Sequence, residues 1–498
     1  MKRGFVNRTA EAPINGWIRK ALYGGAALGL AMTMGMQPAF AGKGHAYAYG
    51  HAHANAYGND GFATITPFNR VARLPVVRDA YGEVDHKATY AKGKAAALAL
   101  ADYVARYRDS AELSMDVIKG DDWVLGGTSA NCRKSWSCTD DEIKKAIIEI
   151  PSPEPIDPND ITYMTTGTVT PANTKKASVL DFCNEHYAKQ ALGVASIVGT
   201  KKVVNGYSHT PALPCEVAIW NDDEHIYVDM LDPNAIFSLF FTDVLSSDDM
   251  TDPAFAEAIT ALPPQVKAEI RAVVLHAMNA FDAKTKAVDQ QLGPKYRSMD
   301  QVLEVVADSP YQSPYKHVGY TKADGTAFTA ANSTAVTQAI INTMSIHGQP
   351  DEGTHPTLVD GAPLDSILSP GSSWRSARAT PLTLPGNNHV IEACSPKYAK
   401  MAMSTGLHHV TALPCEITVQ IVDRDGNGST ETLVVSYLDP HFMLNALFAD
   451  ISEVEKLNFA SIPGNIMDDL QKIVAAALSV NAGIALNPGE QISYDMLP

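Results

Sequence analysis

Residues 209–219 read HTPALPCEVAI, and two hundred positions later residues 409–419 read HVTALPCEITV. The flanks agree as well. VLDFCNEHYAKQAL at 179–192 returns as VIEACSPKYAKMAM at 390–403, and MLDPNAIFSLFFTDV, around Asp232-Pro233, returns as YLDPHFMLNALFADI, around Asp439-Pro440. LPPQVKAEIRAVV from Leu262 aligns with IPGNIMDDLQKIV from Ile462 at the same shift of 200. Self-similarity over this length means that one supersecondary unit is built twice, so reading the fold reduces to reading one unit.

Within a unit, ASVLDFC (177–183) is a short apolar run suited to a buried strand, and a helix begins near Tyr187. The segments CEVAIWNDDEHIYVDML (215–231) and CEITVQIVDRDGNGSTETLVVSYL (415–438) each read as two strands joined by a polar turn. Amphipathic helices at 266–278 and 466–478 close the two units. Upstream the likeness weakens, although DDEIKKAIIEI (140–150), with Thr139 and Glu142 placed as a capping box, resembles STAVTQAIINT (333–343). A strand meander covered on one face by helices is an α+β arrangement. The expected division is a leader at 1–41, a His/Ala/Tyr-rich tail and linker at 42–83, an Ala-rich helix at 84–109, a first repeat at 110–285, a helical connector at 286–305 and a second repeat at 306–498. The Ala-rich helix either precedes the first repeat or serves as its opening element.

Lys2, Arg3, Arg8, Arg19 and Lys20 precede an apolar stretch, Ala21 to Met36, which ends at Ala39-Phe40-Ala41. That is the layout of a cleaved signal peptide, and the stretch is shorter than the ~20 residues that span a bilayer. The expected location is therefore periplasmic or extracellular, with no membrane span after cleavage. The whole chain of 498 residues carries 39 basic and 55 acidic side chains, a net −16; without the leader the balance is 34 against 54, or −20. An acidic chain lacks the basic face that nucleic-acid binding requires, but it leaves cations and small molecules open.

The order of these motifs resembles the domain-of-unknown-function 302 family. Its pattern of a C-N/S-P helix start, an L-P-C strand start and a later D-P is met by Cys183-Asn184, Leu213-Pro214-Cys215 and Asp232-Pro233. It is met again by Cys394-Ser395-Pro396, Leu413-Pro414-Cys415 and Asp439-Pro440. The first copy departs in having Glu185 in place of Pro and 31 residues between its cysteines against 20. The resemblance implies a small antiparallel-sheet domain with helices on one face, of TATA-binding-protein-like topology, pairing here as an intrachain pseudo-dimer. It implies no established activity.

Six cysteines fall into the pairs Cys132/Cys138, Cys183/Cys215 and Cys394/Cys415. An even count in an exported chain makes three disulfides the default. The rival readings are apolar free thiols and a metal or redox site. His209 and His409 stand six residues before Cys215 and Cys415, and a helix start beside Cys183 or Cys394 would favour thiolate there, so two sulfurs and an imidazole could hold a transition metal. No covalent haem motif is present. Asp423, Asp425 and Asn427 resemble the first half of a calcium loop, but Val434 stands where the bidentate Glu belongs, and a hairpin turn on Asn427-Gly428 explains the same residues. His45, His51 and His53 in the tail are a weaker metal candidate. The leading expectation is an exported, non-enzymatic tandem-domain binding protein for a metal ion or a sulfur- or metal-containing ligand. A thiol–disulfide or sulfur-carrying redox enzyme and a stapled interaction protein are the alternatives.

Overall fold

The computed structural model describes residues 66–106, 123–128, 132, 137–155, 174–213, 215–293, 299–346, 363–413, 415–480, 483–493 and 497. Residues 1–41, read above as a leader, and the histidines His45, His51 and His53 lie outside these residues.

A first, seven-stranded sheet is built from β1 (Phe68–Pro75), β2 (Trp123–Leu125), β3 (Ile148–Pro155), β4 (Thr174–Asn184), β5 (Cys215–Asn221), β6 (His225–Leu231) and β7 (Lys286–Gln291). Their order is β2-β4-β5-β6-β1-β7, with β3 also on β4. The second, eight-stranded sheet holds β8 (Tyr315–Tyr320), β9 (Ser345–Ile346), β10 (Arg375–Ser376), β11 (Leu382–Leu384), β12 (Asn388–Cys394), β13 (Cys415–Val422), β14 (Thr432–Leu438) and β15 (Glu490–Ile492). Its order is β15-β8-β14-β13-β12-β10-β9, with β11 on β12. Every described pairing is antiparallel except that of β9 with β10. The core of each sheet is the same: β4-β5-β6-β1-β7 answers β12-β13-β14-β8-β15.

The recurring motifs are punctuation for this architecture. Asn184 and Ser395 end a strand and accept backbone N–H groups of the following turn, as N-caps of the helices Glu185–Ala191 and Pro396–Thr405. Asp232 and Asp439 do the same for Pro233–Phe240 and Pro440–Ala446, with Pro at the first helical position where no N–H is required. Thr139 and Glu142 form the reciprocal capping box. Asp222 Oδ1 accepts the N–H groups of Glu224 and His225 to turn β5 into β6.

Two boundaries differ from the sequence reading. The stretch assigned to tail and linker contains β1, an interior strand flanked by β6 and β7, and the segment assigned to a helical connector begins with β7. Strand β1 (FNRVARLP) lacks a clean alternation because its first five residues are buried on both faces. Helix His86–Arg106 packs on β4, β5 and the closing helix Pro253–Phe281, as Ala330–Thr343 packs on β12, β13 and the closing helix Ile462–Val480. The Ala-rich helix is thus the opening element of the first unit.

Each sheet has two buried faces. Leu180, Phe182, Val217 and Ile219 face the helices, whereas Val179 and Ala218 pack against Ala377, Cys394, Met403 and Val410 of the second unit. The long helices therefore lie outside and the two sheets face each other, with helix Pro396–Thr405 of the second unit packed on β3 of the first. The 3₁₀ segment Gly206–Ala212 of the first unit packs on β8, β12, β13 and β14, and its counterpart Leu407–Ala412 packs on β1, β4, β5 and β6. The exchange is reciprocal to the side chain: Phe68 lies 5.1 and 5.2 Å from the rings of His408 and His409, and Tyr315 lies 5.9 Å from His209. Among the described residues no helix is long and apolar enough to cross a membrane.

Candidate functional site

Cys132 and Cys138 form a disulfide with Cα atoms 4.3 Å apart, while Cys183, Cys215, Cys394 and Cys415 are free thiols. The expectation of three disulfides is met at one pair, and strand register supplies the reason. Cys215 stands opposite Phe182, and Cys415 opposite Ala393. Cys183 and Cys394 are each one residue further along, and a one-residue offset sends a side chain to the other face of the sheet. The thiols of Cys183 and Cys215 both donate to the Leu213 carbonyl, at 3.9 Å each, rather than meeting each other.

These thiols are not thiolates at rest. Burial pushes Cys215, Cys394 and Cys415 up to about 12, and Cys183 also well above the ordinary thiol value. A pKa near 12 leaves roughly one thiolate in 10⁵ at neutral pH. The expected helix-terminus activation is overridden because desolvation penalises the charge more than the terminal N–H groups reward it.

An apolar pocket lies beside each pair of free cysteines. The first, of about 120 Å³, is walled by Trp123, Tyr187, Leu213, Phe237, Leu262 and Val266, and by Met443 and Leu447 of the second unit. The second, of about 100 Å³, is walled by Trp374, Tyr398, Leu413, Met443, Ile462 and Ile466. Cys183 and Cys215 border the first and Cys394 and Cys415 the second. The tryptophans are fixed alike: Trp123 Nε1 donates to Glu269 at 3.0 Å and Trp374 Nε1 to Asp469 at 2.8 Å. Neither these tryptophans nor these acids stand out as site residues in the sequence. A sequence signal exists, since Glu269 and Asp469 are acids at the same 200-residue shift, and both are buried.

Between the sheets lies a group of four buried carboxyls around one guanidinium. Asp181 stands opposite Glu216, and Glu392 opposite Glu416, each pair on an inner face. Arg378 reaches from the second unit to Asp181 and lies 3.1 Å from Glu392. A Cβ at Gly126 would overlap the Arg378 guanidinium, so only glycine admits this approach. Asp181 Oδ1 and Glu416 Oε2 have no hydrogen-bond partner among the described residues. Burial, reinforced by the neighbouring carboxyls, raises Glu216, Glu392 and Glu416 well above the ordinary glutamate value, with Arg378 opposing.

A carboxyl raised in the folded state holds a proton that the unfolded chain gives up. Its contribution is complete below the unfolded glutamate value of about 4.3 and is lost as pH rises toward the folded value. Glu416→Gln, which carries no such charge, should therefore be more stable than the parent at about pH 8, with the gap closing by about pH 4. Urea denaturation across that range checks it. Parallel stability curves would show that Glu416 keeps its ordinary titration.

The histidines do not join the cysteines. His209 Nε2 lies 2.9 Å from Asp243, and its ring stacks on Phe241; His409 Nε2 lies 2.9 Å from Asp450. Among the described residues, triads of His, Cys, Asp or Glu ligand atoms lying within 4.8 Å of one another are His408–His409–Asp450 and Asp423–Asp425–Glu431. Neither contains a sulfur, so the convergent Cys/His/Cys set is not formed. Asp243 and Asp450 occupy matched places in the FFTDV and LFADI blocks, a correspondence legible in the sequence. In the acidic loop, Asp423 and Asp425 accept the backbone N–H of Asn427, and Asp423 also accepts that of Gly428. Those bonds belong to a hairpin turn, which accounts for Asp423, Asp425 and Asn427 without an ion.

Residues 377–476 match the family model described as domain of unknown function DUF302. The matched stretch runs from the residue before Arg378 into the closing helix and includes Cys394, Cys415, Asp439 and Asp469. No curated protein and no solved structure matches the chain.

Proposed function

We propose that the chain is an exported, non-enzymatic binding protein made of two copies of the same family domain, paired as an intrachain pseudo-dimer, with one small apolar ligand in each pocket. The observation that carries this reading is the positional agreement of the two pockets. Trp123, Tyr187, Leu213, Leu262 and Val266 answer Trp374, Tyr398, Leu413, Ile462 and Ile466. Duplicated lining is a constraint on a shared cavity, and apolar cavities of roughly 150 Å³ take up benzene or xenon. The leader supports export. Neutral, buried, unbonded thiols line the pockets as small hydrophobes, which favours binding over disulfide exchange. A metal held by paired cysteines has no support in this arrangement.

Benzene is a suitable probe. It should raise the melting temperature of the full chain through binding to the folded state alone, by RT ln(1 + [L]/Kd) per site. Ala191→Leu and Ala402→Leu, which fill the first and second pocket respectively, should each remove about half of the bound benzene measured calorimetrically. Equal uptake by parent and both variants, or none by the parent, would reject the pockets as ligand sites.

A further inference from the structure

Asp450 is placed between two adjacent histidines. His408 Nε2 lies 2.9 Å from Oδ2 and His409 Nε2 lies 2.9 Å from Oδ1. The far side of the His409 ring fixes which nitrogen carries its hydrogen. The Thr405 hydroxyl has a single proton, and its bond to the Ala402 carbonyl at 2.7 Å uses it. His409 Nδ1, 2.8 Å from Thr405 Oγ1 and 3.3 Å from Ala402 O, then faces two acceptors and must itself donate. A neutral ring protonated at Nδ1 presents a bare lone pair at Nε2, aimed at a carboxylate oxygen. Two acceptors at 2.9 Å repel unless something positive lies between them. His409 is fully buried, where a second ring proton is costly.

The first unit shows the ordinary alternative. There His209 Nε2 can donate to Asp243, because its Nδ1 has no partner among the described residues, and Ser208 stands where the second unit has His408. One His–Asp pair is thus a plain hydrogen bond, and the other is arranged with the opposite tautomer and a second imidazole.

We propose that His408 Nε2, His409 Nε2 and Asp450 form a binding site for a divalent first-row transition cation, present in the second unit alone. Two imidazoles and a carboxylate select a zinc-like ion over calcium or magnesium and leave a fourth position for water. Ligand atoms at about 2.0–2.2 Å from zinc sit roughly 3.4 Å apart, so the carboxylate needs to withdraw by about half an ångström. Binding displaces the hydrogen between His408 Nε2 and Asp450 and fills the hydrogen-free contact between His409 Nε2 and Asp450, and the Nδ1 bonds to Thr405 and Ala402 orient the His409 ring, the usual supporting arrangement of a metal-bound histidine. His408, with a side chain 17% exposed, offers the way in.

The test uses the full chain with His45, His51 and His53 changed to alanine, so that the tail cannot contribute. Zinc is titrated in competition with a chromophoric chelator. One equivalent is expected, with affinity lowered at least about 100-fold by His408→Ser or Asp450→Asn, roughly 10-fold by Thr405→Val, and unchanged by Asp243→Asn. Cobalt should give ligand-field bands without thiolate charge transfer. His408→Ser lies at a partly exposed position and serves if Asp450→Asn fails to fold. Zinc bound equally well by His408→Ser, no zinc bound by the parent, or a cobalt–thiolate band would each overturn the site.

Discussion

Arg378→Met should cost about 3–5 kcal/mol of folding stability at neutral pH, the usual range for removing one partner of a buried ion pair. Arg378 and Asp181 come from different units, and both side chains are almost wholly buried. Without the guanidinium, Asp181, Glu216, Glu392 and Glu416 face each other between two sheets with no counter-charge. Methionine fills similar volume, so the loss reports charge rather than packing. Because Glu216, Glu392 and Glu416 take up protons readily when buried, the deficit should shrink on acidification to about pH 5. Urea unfolding at the two pH values checks both parts. A neutral-pH loss under about 1 kcal/mol would show that the carboxyls already share enough protons to need no cation.

Phe68→Ala is expected to be as damaging, at about 3–5 kcal/mol, the range for truncating a fully buried phenylalanine. Phe68 has no exposed surface and opens β1, between β6 and β7. Its ring also packs edge-on against His408 and His409 of the second unit. One truncation therefore loosens a central strand and the contact between units together. Phe68→Leu, which keeps most of the volume, should recover more than half of the loss. Thermal unfolding of the two variants decides the matter, and an Ala variant within about 1 kcal/mol of the parent would place β1 outside the cooperative fold.

What could be read from the chain was local and repeated. Asn184, Ser395, Asp232 and Asp439 act as the caps their positions announce, and the two hairpins start at Cys215 and Cys415. Strand β1 has no local signature because about 150 residues of chain separate it from β6 and about 210 from β7, and pairing that distant leaves no local mark. A faint signal did exist. Thr66-Pro67-Phe68 and Ser313-Pro314-Tyr315 are short but equivalent: Pro67 O accepts from Asp232 N at 2.7 Å, and Pro314 O from Asp439 N at 2.8 Å. The cysteines misled for a different reason. Spacing in sequence says that two thiols are near, but face is decided by register, and a single-residue offset separates Cys183 from Cys215 and Cys394 from Cys415. Arg378 was unreadable for a third reason, since nothing near it in sequence shows that its charge will meet Asp181 from the other unit.

The pockets themselves follow from the duplication. Once Leu262-Pro263 and Ile462-Pro463 are matched, both closing helices bring a proline and an aliphatic residue to the same wall. The acids that hold Trp123 and Trp374 come from these helices as well. The two sheet-helix units thus bring like residues to like walls, and the group of His408, His409 and Asp450 is where the second unit differs from the first.

Both apolar pockets, the one beside Trp123 and the one beside Trp374, are expected to take a ligand. A crystal of the full chain pressurised with xenon tests it most directly. Two xenon positions are expected, one among Trp123, Tyr187 and Leu213 and the other among Trp374, Tyr398 and Leu413; no xenon in either pocket would contradict ligand binding there.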